Sequence, residues 1–122
     1  MTEIVIGLAS NTPDCIVQMK NAIKWINDIF SDCRCSEIYE TEATRGAKGT
    51  YLNAVAKAMT DLDCLTVNKL LKECEKAAGR TPEMKLNHIV PLDLDLVMYD
   101  HTVLRPADMA CEYFMKGYRQ IV

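Results

Sequence analysis

Apolar and polar positions change period along this chain, and the changes mark its elements. Thr2–Ala9 (TEIVIGLA) is apolar and β-branched and predicts a buried strand. Gly7, near its end, suggests that something approaches the backbone closely. Ser10-Asn11-Thr12-Pro13-Asp14 predicts a turn into a helix. Thr12 is the cap, Pro13 the first helical residue, and Asp14 sits near the positive end of the dipole. Ile16, Met19, Ile23, Ile26 and Phe30 then recur at steps of three and four, as in an amphipathic helix ending near Ser31. Arg34–Thr41 predicts a second strand, and Thr44–Gly49 a polar, glycine-bearing loop. Tyr51–Met59 predicts a third strand, with Tyr51, Asn53, Val55 and Lys57 on one face and Leu52, Ala54, Ala56 and Ala58 on the other. Asp63 caps a second helix whose stripe is Val67, Leu70, Leu71, Cys74, Ala77 and Ala78, and Gly79 ends it. Arg80–Pro91 has no clear period and predicts a mobile loop. Leu92–Tyr99 alternates as a fourth strand, and a short helix around Ala107–Lys116 closes the series. The order β-α-β-β-α-β predicts an α+β fold, a ferredoxin-like antiparallel sheet with packed helices.

Composition narrows the class without naming it. A length of 122 residues fits a single domain over 1–122. A net charge of −3 argues against a general nucleic-acid binder, which would carry a basic face. No apolar run approaches the roughly 18 residues of a membrane span. Met1-Thr2-Glu3-Ile4 runs straight into the first strand, unlike a secretory leader. The six cysteines, Cys15, Cys33, Cys35, Cys64, Cys74 and Cys111, show neither a Cys-x-x-Cys pair nor zinc spacing. They predict reduced, mostly structural thiols and a cytoplasmic setting.

Three places carry candidate chemistry. Asp93 and Asp95 stand two apart on an apolar strand, so they point the same way with about 6.6–6.8 Å between α-carbons. Paired carboxylates repel, and magnesium suits such a pair because it takes one or two carboxylates plus substrate phosphates. Two ordinary surface acids on a solvent-facing strand side are the other reading. Asn53 sits in an otherwise apolar strand and offers a donor and an acceptor edge to a heterocycle, or else to a neighbouring loop. Glu75, off the apolar stripe of the second helix, precedes Gly79-Arg80, and Arg80 suits a phosphate.

These pieces together resemble the hydroxymethyldihydropterin pyrophosphokinases. Gly7-Leu8-Ala9-Ser10-Asn11 is similar to that family's Gly-x-x-Ser-Asn opening, and Ser36-x-x-Tyr39-Glu40-Thr41 to its Ser-x-x-Tyr-x-Thr stretch. Tyr51-Leu52-Asn53-Ala54, Glu75 with Gly79-Arg80, Asp93-Leu94-Asp95-Leu96, and Asp108-Met109 with Phe114 resemble further motifs, all in register from Ile4 to Phe114. The resemblance implies transfer of diphosphate from ATP to 6-hydroxymethyl-7,8-dihydropterin in folate biosynthesis. It implies that Asp93 and Asp95 hold magnesium across the ATP phosphates. Asn53 and the Thr41 backbone would bond the pterin, Tyr51 would line its pocket and Phe114 would stack on it. Glu75 would contact the nucleotide and Arg80 the phosphates, while loops at Ala43–Thr50 and Thr81–Val90 would close over them. The implied partners are ATP and the pterin alcohol, with no nucleic acid or membrane, the chain being a monomer or weak oligomer.

The chain also departs from the family pattern. Leu86–Pro91 stands where the family has Arg-Trp-x-Pro-Arg-Thr, and Pro82 where a second arginine is expected. Arg105-Pro106-Ala107 and Glu112 replace a Pro-His motif and an arginine. Lys85, His88 and Arg105 are the candidate replacements for the lost cations. The residues alone leave two other readings open, a pterin- or nucleotide-binding paralogue without transfer and a plain ferredoxin-like interaction domain.

Overall fold

The computed structural model describes residues 1–43 and 49–122. β1 (Thr2–Ser10) is central because its apolar run is buried on both faces. It pairs antiparallel with β4 (Thr50–Thr60) on one side and β5 (Asp93–Tyr99) on the other. β2 (Ser31–Cys35) and β3 (Tyr39–Glu42) both pair with β4, and β6 (Thr102–Val103) pairs with β5. The six-stranded sheet runs β2-β4-β1-β5-β6, with β3 continuing along β4. This is the expected ferredoxin-like antiparallel order. The anticipated strand Arg34–Thr41 is two strands, because Ser36 interrupts it. The Ser36 hydroxyl accepts the Val55 N–H (2.9 Å) and donates to the Glu37 carbonyl (2.8 Å).

Two helices cover one face. α1 (Cys15–Ile29) buries Met19, Ala22 and Ile26, and α2 (Cys64–Ala77) buries Val67 and Leu71. They close over Ile4, Ile6, Leu8, Ala54, Ala56, Ala58, Leu94 and Leu96. The small alanines of β4 let the helices approach. Asp63 caps α2 as expected, accepting the Thr66 N–H at 2.8 Å, and Gly79 follows it with φ +99°. Thr12 does not cap α1. Its hydroxyl donates to Asp14 Oδ1 instead, and the helix starts at Cys15. Ile16 and Ala77, placed on the apolar stripes, are exposed at the helix ends. Cys33, Cys35, Cys64 and Cys74 pack against this core, as structural thiols would.

The other face is covered only in part. α5 (Glu112–Ile121) lays Phe114 and Ile121 on Val5, Val55 and Val97. The single expected helix at Ala107–Lys116 is split into α4 (Pro106–Met109) and α5, and α5 runs on to Ile121. The Tyr39 hydroxyl locks α5 down, donating to the Tyr113 carbonyl and accepting the Gly117 N–H at 3.0 Å. Gly117 is required here. A β-carbon would lie 2.7 Å from both the Tyr39 hydroxyl and Val55 Cγ2. Gly117→Ala is therefore expected to destabilise the protein by about 1–3 kcal/mol in urea unfolding, despite alanine's better helix propensity. An unchanged midpoint would mean that α5 shifts freely.

Arg80–Pro91 is not wholly loop. α3 (Pro82–Leu86) occupies part of it, with Thr81 accepting the Met84 N–H at 3.4 Å and proline in its first turn. The Asn11 side chain ties down the return to β5, donating to the His88 carbonyl and accepting the Val90 N–H, each at 2.6 Å.

Candidate active site

Strand register builds the site. Ala9 pairs with Asn53 on one side and Asp93 on the other, and Gly7 pairs with Val55 and Asp95. Asn53 and the aspartates therefore flank a floor of small residues, two strand spacings or about 10 Å apart. The register of β1 and β5 shifts between Val5 and Ile6, where Val97 is the extra residue. Alternation puts Asp93, Asp95 and Val97 on one face, and the bulge adds the consecutive Met98 to the side that α5 covers while Tyr99 returns to the helix-covered core. The ring of Phe114 lies over Gly7, but a β-carbon there would sit 3.6 Å from it, an ordinary van der Waals contact, so the close approach anticipated at this glycine does not by itself demand one.

α5 leaves the Asn53 end of this face open. The result is a cavity of about 370 Å³ lined by Thr41, Tyr51, Asn53, Asp93, Asp95 and Phe114, among others. The Asn53 amide donates to Thr41 Oγ1 at 2.6 Å, so the two meet at the cavity edge. Phe114 is buried and stacks on Tyr118, centroids 5.6 Å apart. A second cavity opens beside the aspartates. Lys72, Lys76, Arg80, Lys85 and Arg105 bring positive charge to it, and Glu75 borders it. All the candidate residues thus lie on one or both cavities.

Side chains of α2 and the turn after it complete the open edge of β5. Glu75 Oε2 accepts the Leu94 N–H at 2.8 Å, and Lys72 Nζ donates to the Leu94 carbonyl at 3.1 Å. Arg80 Nη1 donates to the Leu92 carbonyl at 3.3 Å and to Asp93 Oδ1 at 2.9 Å, and sits 3.3 Å from Glu75 Oε1. These contacts do the work of a missing strand neighbour. Glu75 corrects the reading of a residue off the buried stripe. It is only 6% exposed because it serves a neighbouring strand. Lys72 and Lys76 escaped notice, yet Lys72 stands three before Glu75 and four before Lys76, same-face spacings visible in the sequence.

The two aspartates titrate as a pair. Burial first, then the charge of Asp93 and their shared hydrogen bond, push the Asp95 carboxyl up to about 7, against the pull of Arg105 and Lys72. Burial also raises Asp93, but hydrogen bonds to Asp95 and Arg80 and the charges of Arg80 and Lys72 outweigh it and hold Asp93 below the ordinary range. Among the described residues no group of three or more His, Cys, Asp or Glu side chains is placed to hold a metal. A pair of carboxylates fits a hard cation that takes its other oxygens from phosphate and water.

Residues 44–48, most of the anticipated polar loop, lie outside the described residues. Among the described residues no helix is long and apolar enough to cross a membrane.

A curated protein of Aquifex aeolicus (strain VF5), a 2-amino-4-hydroxy-6-hydroxymethyldihydropteridine pyrophosphokinase, is 30% identical over 106 residues. The match covers 86% of this chain and 66% of that protein. A folate synthesis bifunctional protein of Arabidopsis thaliana is 33% identical over 99 residues, 80% of this chain and 20% of that protein. This chain therefore spans about two thirds of the first and a fifth of the second. The family model for 7,8-dihydro-6-hydroxymethylpterin-pyrophosphokinase (HPPK) matches residues 5–122, and the chain belongs to that family.

Proposed function

We propose that this protein transfers diphosphate from ATP to 6-hydroxymethyl-7,8-dihydropterin in folate biosynthesis, releasing AMP. The carrying observation is that Asp93 and Asp95 stand between an apolar-walled cavity with an amide edge and a second cavity ringed by cations. In this reading Thr41, Tyr51, Asn53 and Phe114 hold the pterin, and Asn53 reads its polar edge. Asp93 and Asp95 hold magnesium, which when bound neutralises charge on the phosphates. Arg80 faces the nucleotide, and Glu75 acts on that side by fixing Arg80 and Lys72.

The hydroxymethyl oxygen attacks the β-phosphorus of ATP. The bond from that phosphorus to the α,β-bridging oxygen breaks, the oxygen leaves with AMP, and the hydroxyl proton passes to solvent. Such a displacement needs alignment and charge neutralisation rather than a covalent protein intermediate. Lys72, Lys76, Lys85 and Arg105 supply charge that the family pattern places on arginines elsewhere. The reading carries with it small-molecule partners alone, one domain over 1–122, a monomer or weak oligomer, and a cytoplasmic setting.

The test is to mix the protein with ATP, magnesium and the reduced pterin alcohol and to follow AMP. AMP formed only when pterin is present supports the proposal. Tight pterin binding without AMP would make the chain a binding paralogue. Neither signal would leave a ferredoxin-like interaction domain.

A further inference from the structure

Four side chains, Lys85, Asp93, Asp95 and Arg105, line both cavities. They mark the junction where a group held in one cavity meets a group held in the other. Arg105 stands out among them because it lies where the family pattern has no matching arginine. Its Nε donates to Asp108 Oδ2, and the Tyr113 hydroxyl donates to Asp108 Oδ1. The Asp108 side chain is only 5% exposed, whereas that of Arg105 is 47% exposed. A buried carboxylate is costly unless it is paired and hydrogen-bonded, and here both of its oxygens are used. The guanidinium is thus held by its Nε edge. Its far edge faces Asp95, with Nη2 3.8 Å from Oδ2. That is too long for a hydrogen bond, so the Nη groups keep donors for an incoming anion. A lysine could not be gripped at one nitrogen while presenting two more.

We infer that Arg105 contacts the transferred diphosphate at this junction, and that Asp108, backed by Tyr113, is a positioning residue that aims it. The inference rests on the pyrophosphokinase reading above. It makes Arg105 a replacement for a missing phosphate-binding arginine, reached from a different part of the chain. The position is also suited to the transition state, when negative charge builds on the oxygens around the β-phosphorus.

Steady-state AMP formation tests this in Arg105→Ala, Arg105→Lys, Asp108→Asn, Tyr113→Phe and the Arg105→Ala/Asp108→Asn double variant. Arg105→Ala should lower kcat about 100-fold while the pterin KM stays within about twofold. Added guanidinium ion should restore part of that loss and leave the unaltered protein unaffected. Asp108→Asn should cost about tenfold in the native background and almost nothing once Arg105 is alanine. Tyr113→Phe should fall between, and it keeps the positioning claim testable should Asp108→Asn unfold. A kcat within about threefold in Arg105→Ala would overturn the inference while the reading stands. Equal cost of Asp108→Asn in both backgrounds would reduce Asp108 to a structural role and overturn the positioning half. No pterin-dependent AMP from the unaltered protein would overturn the reading and the inference together.

Discussion

Asp95→Asn should lower AMP formation by at least about 10³-fold and yet make the cation-free protein more stable near pH 8. The two effects share one cause. Burial and the neighbouring Asp93 charge push the Asp95 carboxyl up to about 7. The folded state therefore holds the Asp95 proton more tightly than the unfolded chain does. The stability this contributes is present below the ordinary carboxylate pKa and is lost as pH rises through about 7. Asp93, held down, has the opposite sign: its contribution is present above the ordinary carboxylate range and is lost as pH falls. Near pH 8 both carboxylates are charged and repel each other across the same strand face. Asparagine removes that repulsion without changing shape, for a gain of about 1–3 kcal/mol. Near pH 5 Asp95 is already neutral, so the gain should vanish. Magnesium should raise the melting temperature of the unaltered protein near pH 8 far more than near pH 5, because it displaces a proton at the lower pH. Thermal unfolding at the two pH values, with and without magnesium, reads all of this. A variant less stable than the parent near pH 8 would show that Lys72 and Arg105 more than offset the repulsion.

The sheet and its two long helices were legible because burial imposes a period. The apolar run of β1, the alternation of β4 and the stripes of α1 and α2 each follow from which faces meet the core. The aspartate pair was legible for the same reason, since two charges in an apolar strand need a purpose. What escaped depends on contacts distant in sequence. Ser36 splits a strand by bonding Val55, 19 positions away. The bulge at Val97 leaves no trace in the alternation of β5. Glu75 read as a residue off the apolar stripe because helical period sees only its own helix, whereas its partner is a backbone N–H on β5. Arg105 and Asp108 could be seen as residues, but nothing in their spacing says that one grips the other beside Asp95. The start of α3 is a different case. Thr81-Pro82-Glu83 is a readable cap, first-turn proline and first-turn acid, masked by the lack of period that follows.

Glu75→Ala should destabilise the protein by about 3–5 kcal/mol, the largest loss expected of any single site residue. Its carboxylate is buried and answers three groups at once: the Leu94 N–H, Lys72 and Arg80. Alanine leaves the Leu94 N–H without an acceptor at the open edge of β5, a cost of about 1–3 kcal/mol by itself. It also removes the charge that Lys72 and Arg80 share, leaving Arg80 to Asp93 and Lys72 to Asp95. The strand segment carrying both aspartates loses its outer support, so catalysis should fall with stability. Glu75→Gln separates the contributions. The amide oxygen still accepts the Leu94 N–H, so stability should fall by only about 1–2 kcal/mol. The loss of charge shifts Lys72 and Arg80 toward the aspartates, so magnesium affinity should drop even though the fold holds. Urea unfolding and magnesium titration of both variants decide it. If Glu75→Gln costs as much stability as Glu75→Ala, the charge rather than the strand contact is what holds β5. If neither loses more than about 1 kcal/mol, water has taken the place of the carboxylate, and the edge of β5 supports itself.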